Sequence, residues 1–216
     1  MSFMRGILNL LFPPRCVFCR KLLSGSSSGV CSDCLENIPK TVAGGSQSGN
    51  YYTSCISPLY YEDKVRDSIL RFKFKECKGY SKVYGRYIAD CITENFVGKY
   101  DLISWVPLSE ERLKTRGYDQ AMLLAFSTAL ELGDVAVETL VKCRDVPAQS
   151  GAGSAESRRA NILGAYAASD EELIADKRIL LIDDIITTGA TLSECSRVLL
   201  MAGASEVLCA ALAKTR

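Results

Sequence analysis

The 216-residue sequence predicts an α/β fold in which helices cover both faces of a mostly parallel sheet, with a small cysteine-rich element near the N-terminus. From about residue 51 onward, strand-like and helix-like segments alternate with short breaks. Residues 179–182 are all apolar, which is typical of a parallel strand buried on both faces. The separate N-terminal element is indicated by four cysteines concentrated between positions 16 and 34.

Composition divides the chain into three parts. Residues 1–43 contain the cysteine cluster, and the Gly- and Ser-rich residues 44–50 predict a flexible linker. Residues 51–216 contain all the alternating segments and therefore predict the α/β domain.

Within the α/β domain, hydrophobic periodicity predicts the elements in order. Residues 54–61 predict a strand, and apolar residues at helical spacing on either side of Gly79 predict two amphipathic helices. A third helix is predicted between Gly117 and Gly133, and residues 192–202 predict a fourth. The other predicted strands are residues 101–106, 135–141, 162–168, 179–182 and 207–212.

Composition also excludes several classes of protein. The chain has no histidine, which excludes Ser-His-Asp and Cys-His catalysis and zinc fingers that mix cysteine with histidine. The net charge of +1 gives no global field that would indicate a nucleic acid or a membrane as partner. No secretory signal and no transmembrane segment is predicted, so the ten cysteines favour a reducing, cytoplasmic compartment.

The four clustered cysteines have the spacing of a structural zinc site. Cys16 and Cys19 form one Cys-x2-Cys pair, Cys31 and Cys34 form a second, and eleven residues separate the pairs. Each pair can present two thiolates in a tight turn, and two pairs complete a tetrahedral zinc ribbon or knuckle. Two disulfides or four reduced thiols are the alternatives, and the predicted compartment favours zinc.

The sharpest motif begins at the apolar strand predicted at residues 179–182. Asp183 and Asp184 follow it directly, where paired acids can accept hydrogen bonds from the vicinal hydroxyls of a ribose. A hydroxyl- and glycine-containing turn then opens a helix, and its amides suit a phosphate monoester. An ordinary strand–turn–helix with a capping threonine and solvated acids is the alternative. The predicted phosphate-binding residues are Thr187, Thr188, Gly189, Ala190 and Thr191.

This motif resembles the signature of type I phosphoribosyltransferases, the fold that binds 5-phosphoribosyl 1-diphosphate (PRPP). The resemblance implies a type I phosphoribosyltransferase-like fold, catalytic roles for Asp183 and Asp184, and Mg²⁺ as the companion of PRPP. It also implies that Arg116 and Gly117 bind the pyrophosphate, although a charged turn that starts a helix is the plain alternative.

The polar residues 144–160 stand where such proteins have a loop that closes over PRPP. The resemblance implies that Arg158 in this loop meets the pyrophosphate or the reacting centre. A surface loop without that function is the alternative. Residues 51–97 are expected to supply the hood over the site, because only a few residues follow the last predicted strand.

Nearly the whole chain, from about position 13 to 207, carries a more specific pattern. An N-terminal cysteine cluster is followed by a set of motif residues that closely resembles the ComF family of competence-associated phosphoribosyltransferase-like proteins. Two departures are the solitary Cys55, which makes a second metal site doubtful, and Asp119, where the family usually has asparagine. The motif residues are Val106-Pro107-Leu108, Arg112, Arg116-Gly117-Tyr118-Asp119-Gln120-Ala121, Gln149, Arg158, Asn161 and Gly164-Ala165-Tyr166.

Residues 64–87 form a local basic patch with eight cations against two acids, interleaved with aromatic residues. A cationic groove with aromatic platforms suits single-stranded nucleic acid, and Lys73, Lys75 and Lys78 are the candidate contacts. The same residues equally suit a hood over the phosphates of PRPP. A solvated amphipathic helix with core aromatics is the third interpretation.

The predicted function is therefore a PRPP-binding protein of the ComF type, implied by the resemblance to serve natural transformation through uptake or processing of single-stranded DNA. As an enzyme it would be a phosphoribosyltransferase. The alternative is a non-enzymatic module that senses PRPP or a nucleotide and binds single-stranded DNA or competence and recombination proteins.

Overall fold

The structure is a computed structural model that describes residues 13–23, 28–144 and 162–216. None of the described helices is long and apolar enough to span a lipid bilayer. The described elements are α1 (Ser32–Asn37), a 3-10 helix (Ala43–Gly45), β1 (Ser54–Ile56), β2 (Leu59–Tyr60), α2 (Asp63–Phe74), α3 (Tyr80–Asn95), β3 (Leu102–Trp105), α4 (Glu110–Arg116), α5 (Gln120–Leu132), β4 (Leu140–Lys142), β5 (Tyr166–Ala168), α6 (Glu171–Ile174), β6 (Arg178–Ile186), α7 (Ala190–Met201) and β7 (Glu206–Lys214).

The main sheet is parallel throughout, as the sequence predicts. Its strands lie in the order β1-β7-β6-β3, and β2 continues along the same edge of β7 beyond β1. Strands β4 and β5 form a separate antiparallel pair. The non-sequential order requires helical crossovers, which is the usual connection between parallel strands.

Both faces of the sheet are covered, which explains the uninterrupted apolar run in β6. Leu180 and Ile182 belong to one core cluster, which includes residues of α2, α3 and α5. Ile179 and Leu181 alternate to the opposite face, where they cluster with residues of α7. All four side chains are fully buried.

Several predicted elements differ in extent from those observed. The strand predicted at residues 54–61 is divided into β1 and β2 around Pro58, which has no N–H to donate to a ladder. Helix α4 was not predicted, and the strand predicted at residues 135–141 is reduced to β4 and an isolated bridge from Ala136 to Ile103. Strand β6 extends to Ile186, so Asp183 and Asp184 lie within the strand and not after it, where the sequence predicts them.

Residues 44–50, predicted as a flexible linker, are bonded to the edge of the sheet. The Gln47 and Cys55 backbones exchange two hydrogen bonds of 2.9 and 2.7 Å. Lys214 Nζ donates to the carbonyl oxygen of Gly45 at 2.9 Å. Because β1 is an edge strand with unpaired backbone groups, it provides partners for a Gly- and Ser-rich segment that has no apolar side chains of its own.

The N-terminal cysteine element packs on the outside of α2 and α3. Phe18, which is 1% exposed, contacts the rings of Tyr84 and Tyr87 at centroid distances of 6.1 and 5.8 Å. The element therefore shares the core cluster that covers one face of the sheet.

Gly85 sets how closely α3 and α5 can approach. A Cβ atom at this position would lie 2.7 Å from Ser127 Cβ and 2.8 Å from its carbonyl carbon. We expect Gly85→Ala to lower the free energy of unfolding by about 1–3 kcal/mol, because backbone must move to relieve the overlap. Urea denaturation followed by circular dichroism measures the change.

Gly79→Ala is the matched control for this substitution. A Cβ at Gly79 has no atom within 4 Å, and the backbone there is already helical. We expect a change of less than about 1 kcal/mol, in the stabilising direction. Equal effects of the two substitutions would contradict the close packing of α3 on α5.

Candidate functional site

A cavity of about 300 Å³ opens at the carboxyl ends of β3 and β6. This is the edge at which parallel α/β sheets bind ligands, because the connecting loops diverge there. The cavity is lined by the end of β6, the turn into α7, the segment after β3, and side chains from α2, α4, β4 and β5.

Two adjacent acids form the floor of the cavity at the end of β6. The Asp184 N–H donates to Asp183 Oδ1 at 2.7 Å. Lys73 Nζ lies 2.8 Å from Asp184 Oδ2 and 3.0 Å from Oδ1, with both side chains largely buried. Burial, and then the charge of Asp184, raise the pKa of the Asp183 carboxyl well above its usual range. Lys73 therefore neutralises one acid, while the other binds a proton more readily than an exposed aspartate.

The turn into α7 carries amides that have no hydrogen-bond partner in the part of the chain that the structure describes. Gly189 precedes the helix with φ of 72°, the left-handed conformation that favours glycine. Among the residues that the structure describes, the N–H groups of Thr187, Gly189 and Thr191 have no hydrogen-bond partner, and Ala190 N makes a long bond of 3.5 Å to Thr188 Oγ1. All five residues line the cavity. Their free amides and the positive end of α7 make the turn suitable for an anion.

Close packing behind Gly189 helps to fix this turn. A Cβ at Gly189 would lie 2.7 Å from the hydroxyl oxygen of Tyr52, a residue that is 5% exposed. The positive φ and this contact together require glycine, because any side chain would be strained and would displace the tyrosine.

Arg116, from α4, is a cation that lines the cavity. Its Nη1 donates to Gln120 Oε1 at 2.7 Å, and its guanidinium lies 5.1 Å from the centroid of the Phe74 ring. Burial lowers the pKa of Arg116, whereas the Asp184 charge acts in the opposite direction. Arg112 and Lys142 also line the cavity, and Lys142 Nζ lies 5.2 Å from the ring centroid of Tyr166.

Gly117, predicted together with Arg116, has a different position. It ends α4 with φ of 75°, its N–H donates to the Leu113 carbonyl oxygen at 2.8 Å, and it does not line the cavity. Its amide is therefore used to close the helix.

Asp119, where the sequence departs from the ComF pattern, begins α5. Its Oδ1 accepts from Met122 N at 3.0 Å and its Oδ2 accepts from Leu108 N at 2.7 Å. Burial raises the pKa of Asp119, and these amide hydrogen bonds oppose that shift. Its carboxylate joins the segment after β3 to the start of α5, which fixes one wall of the cavity.

The three candidate nucleic-acid contacts do not form one surface. Lys73 lies inside the cavity on Asp184. Lys75 is exposed at the end of α2, and Lys78 is exposed with its ammonium 5.1 Å from the Tyr118 ring centroid. The two outer lysines remain available to an external partner, whereas Lys73 belongs to the cavity.

Arg158 lies outside the described residues. Sequence reasoning did not assign Arg112, Lys142 and Tyr166 to the cavity. Arg112 and Tyr166 could have been assigned from the sequence, since both belong to the ComF-like pattern. Lys142 could not, because its place in the cavity depends on how the β4–β5 pair packs.

The four clustered cysteines fit a single zinc ion. Their sulfur atoms all lie within 4.8 Å of one another, and Cys19 Sγ is 3.5 Å from Cys31 Sγ. Tetrahedral zinc at about 2.3 Å from each sulfur separates the thiolates by about 3.8 Å. A tight turn with Arg20 at φ of 68° presents the first pair, and the start of α1 presents the second. No other group of this kind occurs among the described residues.

Two protein families match separate parts of the chain. The Phosphoribosyl transferase domain family matches residues 119–216, and the Double zinc ribbon domain family matches residues 7–45. With the parallel sheet and the four-cysteine cluster, these matches define a type I phosphoribosyltransferase-like protein that carries a structural zinc element.

Curated relatives identify the family more narrowly. Competence protein F of Haemophilus influenzae is 30% identical, over 89% of this chain and 93% of that protein. Competence protein ComFC of Streptococcus pneumoniae is 30% identical over 68% of this chain and 62% of that protein. ComFC of Bacillus subtilis is 26% identical over 66% of this chain and 56% of that protein. The chain therefore spans less than two thirds of the length of either ComFC protein. The chain belongs to the competence protein F (ComF) family, which confirms the resemblance found in the sequence.

Solved structures give a weaker likeness. Those found include the allosteric regulatory enzyme of purine biosynthesis, with a TM-score of 0.43 and 23% identity, over 62% of this chain and 26% of that chain. Glutamine PRPP amidotransferase from B. subtilis, solved with ADP and GMP, has a TM-score of 0.44 and 22% identity over the same shares of the two chains.

The zinc site gives a direct test of the N-terminal element. We expect Cys16→Ser to reduce the zinc content from about one per chain to near zero and to lower the melting temperature by more than about 5 °C, because the buried ligands lose their common partner. Zinc is measured by inductively coupled plasma mass spectrometry, and unfolding by calorimetry. Cys143→Ser, at an exposed thiol outside the cluster, is the control and should change neither quantity. Full zinc content in Cys16→Ser would contradict the assignment.

Proposed function

We propose that the cavity binds Mg²⁺·PRPP and that the protein uses this ligand in a phosphoribosyltransferase-type reaction. The observation that carries the proposal is the meeting of two features in one cavity. The acids at the end of β6 and the unpartnered amides at the start of α7 are only a few residues apart, and they face the same space.

The ribose and its 5-phosphate would occupy this floor. Asp183 and Asp184 would accept hydrogen bonds from the two vicinal hydroxyls, and the amides and hydroxyls of residues 187–191 would hold the phosphate. Lys73 now bonds the carboxylate that a ribose hydroxyl would contact, so it would turn toward the diphosphate when PRPP binds. The site would thereby gain a cation for an anionic ligand without leaving Asp184 unpaired.

The diphosphate would meet the other cations that line the cavity. Arg116, held by Gln120 and Phe74, is positioned before the ligand arrives, and Arg112 and Lys142 line the same space. Arg158, from the segment outside the described residues, would complete the set. Departure of pyrophosphate would then be assisted by electrostatic stabilisation and positioning, which suits a chain without histidine.

The biological role that we propose follows from the family. The protein would act in the cytoplasm during natural transformation, in the uptake or processing of single-stranded DNA. A second candidate is a non-enzymatic module that senses PRPP and binds single-stranded DNA or competence and recombination proteins. It is favoured by the exposed Lys75 and Lys78, which follow the 58%-exposed Phe74 closely in the sequence.

Isothermal titration calorimetry with PRPP and Mg²⁺ tests the binding site. We expect wild-type protein to bind PRPP and the double variant Asp183→Asn/Asp184→Asn to bind at least about 100-fold more weakly, because two charge-assisted hydrogen bonds are lost. A wild-type protein that gives no binding, or a double variant with unchanged affinity, would remove the proposal.

Asp101→Asn is the matched control for this titration. Asp101 pairs with Arg178 next to the N-terminal end of β6, at the sheet edge opposite the cavity. Asp101→Asn should leave PRPP affinity unchanged.

Release of pyrophosphate in the presence of a panel of nucleobases separates the enzyme from the sensing module. An enzyme releases pyrophosphate when its acceptor is present, and a sensor does not.

The nucleic-acid candidate is tested at the outer lysines. We expect Lys75→Ala/Lys78→Ala to weaken binding of a fluorescent single-stranded oligonucleotide and to lower the slope of log K against log salt by about 1.4, the value for two phosphate contacts. Fluorescence anisotropy at several salt concentrations measures both effects. Lys99→Ala/Lys177→Ala removes the same charge from exposed positions that precede β3 and β6, and should have no effect. Equal slopes for the two variants would exclude this surface.

A further inference from the structure

Helix α2 is bonded on one side to the backbone of the zinc element. Arg71 Nη2 donates to the carbonyl oxygens of Val17 and Phe18 at 3.0 and 2.6 Å. One turn earlier, Ser68 Oγ donates to the same Val17 oxygen at 2.5 Å. Val17 and Phe18 are the two residues between the first pair of cysteines, so α2 holds the loop that would carry two of the zinc ligands.

The opposite side of the same helical turn contacts the cavity. Successive residues in an α-helix are about 100° apart, so Lys73 points away from Arg71. It forms the ion pair with Asp184. The next residue, Phe74, lies against Arg116, and the Tyr118 hydroxyl donates to the Phe72 carbonyl oxygen. The last turn of α2 thus contacts an acid and a cation of the cavity.

The contacts between the zinc element and α2 are buried, which makes them stiff. Ser68 and Phe72 are fully buried, and Phe18 is 1% exposed. Arg71 Nε is buried without a hydrogen-bond partner in the described part of the chain, so the two carbonyl oxygens are what hold the guanidinium in place. Buried polar groups strongly favour the one geometry that satisfies them.

A bound metal would add a constraint on the position of these carbonyl oxygens. Val17 and Phe18 are in a turn between Cys16 and Cys19, and four thiols without a metal have no strong mutual attraction that would fix it. If the turn shifted, Arg71 would lose its acceptors, and the end of α2 would lose one of the contacts that fix its position.

We propose that the zinc element, through Arg71, holds the last turn of α2 at the cavity so that Lys73 can reach both Asp184 and the diphosphate of PRPP, and that zinc occupancy and PRPP affinity are therefore coupled. Arg71 is a positioning residue: it touches the zinc loop and acts on the site through α2. The inference rests on the proposed function, because it concerns the same PRPP site. Coupling of this kind is reciprocal, so PRPP must tighten zinc by the factor by which zinc tightens PRPP.

The wild-type protein with its zinc bound provides the first measurement. Zinc affinity is determined by competition with TPEN, a zinc-selective chelator that does not remove Mg²⁺, with and without saturating Mg²⁺·PRPP. We expect PRPP to raise the zinc affinity about fivefold, within the range of coupling between two sites. Protein depleted of zinc should bind PRPP more weakly by the same factor.

Substitution of Arg71 provides the second measurement. Arg71→Lys keeps the charge but has a shorter reach and loses the guanidinium whose Nη2 bonds both carbonyl oxygens. We expect it to retain zinc, to weaken PRPP binding about fivefold, and to reduce the effect of PRPP on zinc affinity to no more than about 1.5-fold. Arg86→Lys is the matched control, since Arg86 forms an exposed ion pair with Glu131 away from both sites, and it should behave as wild type. Ser68→Ala replaces Arg71→Lys if the latter does not fold.

The outcomes distinguish this inference from the proposed function. Equal zinc affinity with and without PRPP, in a wild-type protein that binds PRPP, overturns the coupling and leaves the PRPP site standing. Full coupling in Arg71→Lys overturns the role of Arg71, because a merely structural role would lower stability without changing the linkage. A wild-type protein that does not bind PRPP overturns both proposals.

Discussion

The ion pair between Lys73 and Asp184 is the interaction on which the arrangement of the site depends. Two neighbouring carboxylates at the end of a buried strand lose hydration and repel each other, so the fold must bring a cation to them. That cation comes from α2, which is 111 residues away along the chain. The charge balance of the site therefore depends on the position of α2. That position depends in turn on the contacts on the other side of the helix.

Strand β6 and the helices that cover the sheet contribute different groups to the core and to the site. Residues 179–182 of β6 supply buried apolar side chains to both core clusters, and the two residues that follow them in the strand supply the acids. The helices that cover the sheet then place single groups at its carboxyl edge: a cation from α2, a cation from α4 and free amides from α7. Because no histidine is present, charge and hydrogen bonding at this edge are the means available for chemistry.

The sequence predicted the parts of the structure that depend on local pattern. The apolar run at residues 179–182 indicated a parallel strand, and Gly189 between threonines indicated the turn into α7. The contact of Lys73 with Asp184 could not be predicted, because helical periodicity gives the spacing of the lysines but not which one faces a distant strand. The hydrogen bonds that residues 44–50 make to β1 could not be predicted from their own sequence either, because they depend on the free edge of that strand. Helix α4 was missed because it is short and has no buried residue.

A crystal structure of the protein with Mg²⁺·PRPP tests the central claim most directly. We expect the 5-phosphate within hydrogen-bonding distance of the amides of residues 187–191 and the ribose hydroxyls on Asp183 and Asp184. We also expect Lys73 to leave Asp184 for the diphosphate. PRPP bound away from the end of β6, or a ribose that leaves the Lys73–Asp184 pair untouched, would contradict it.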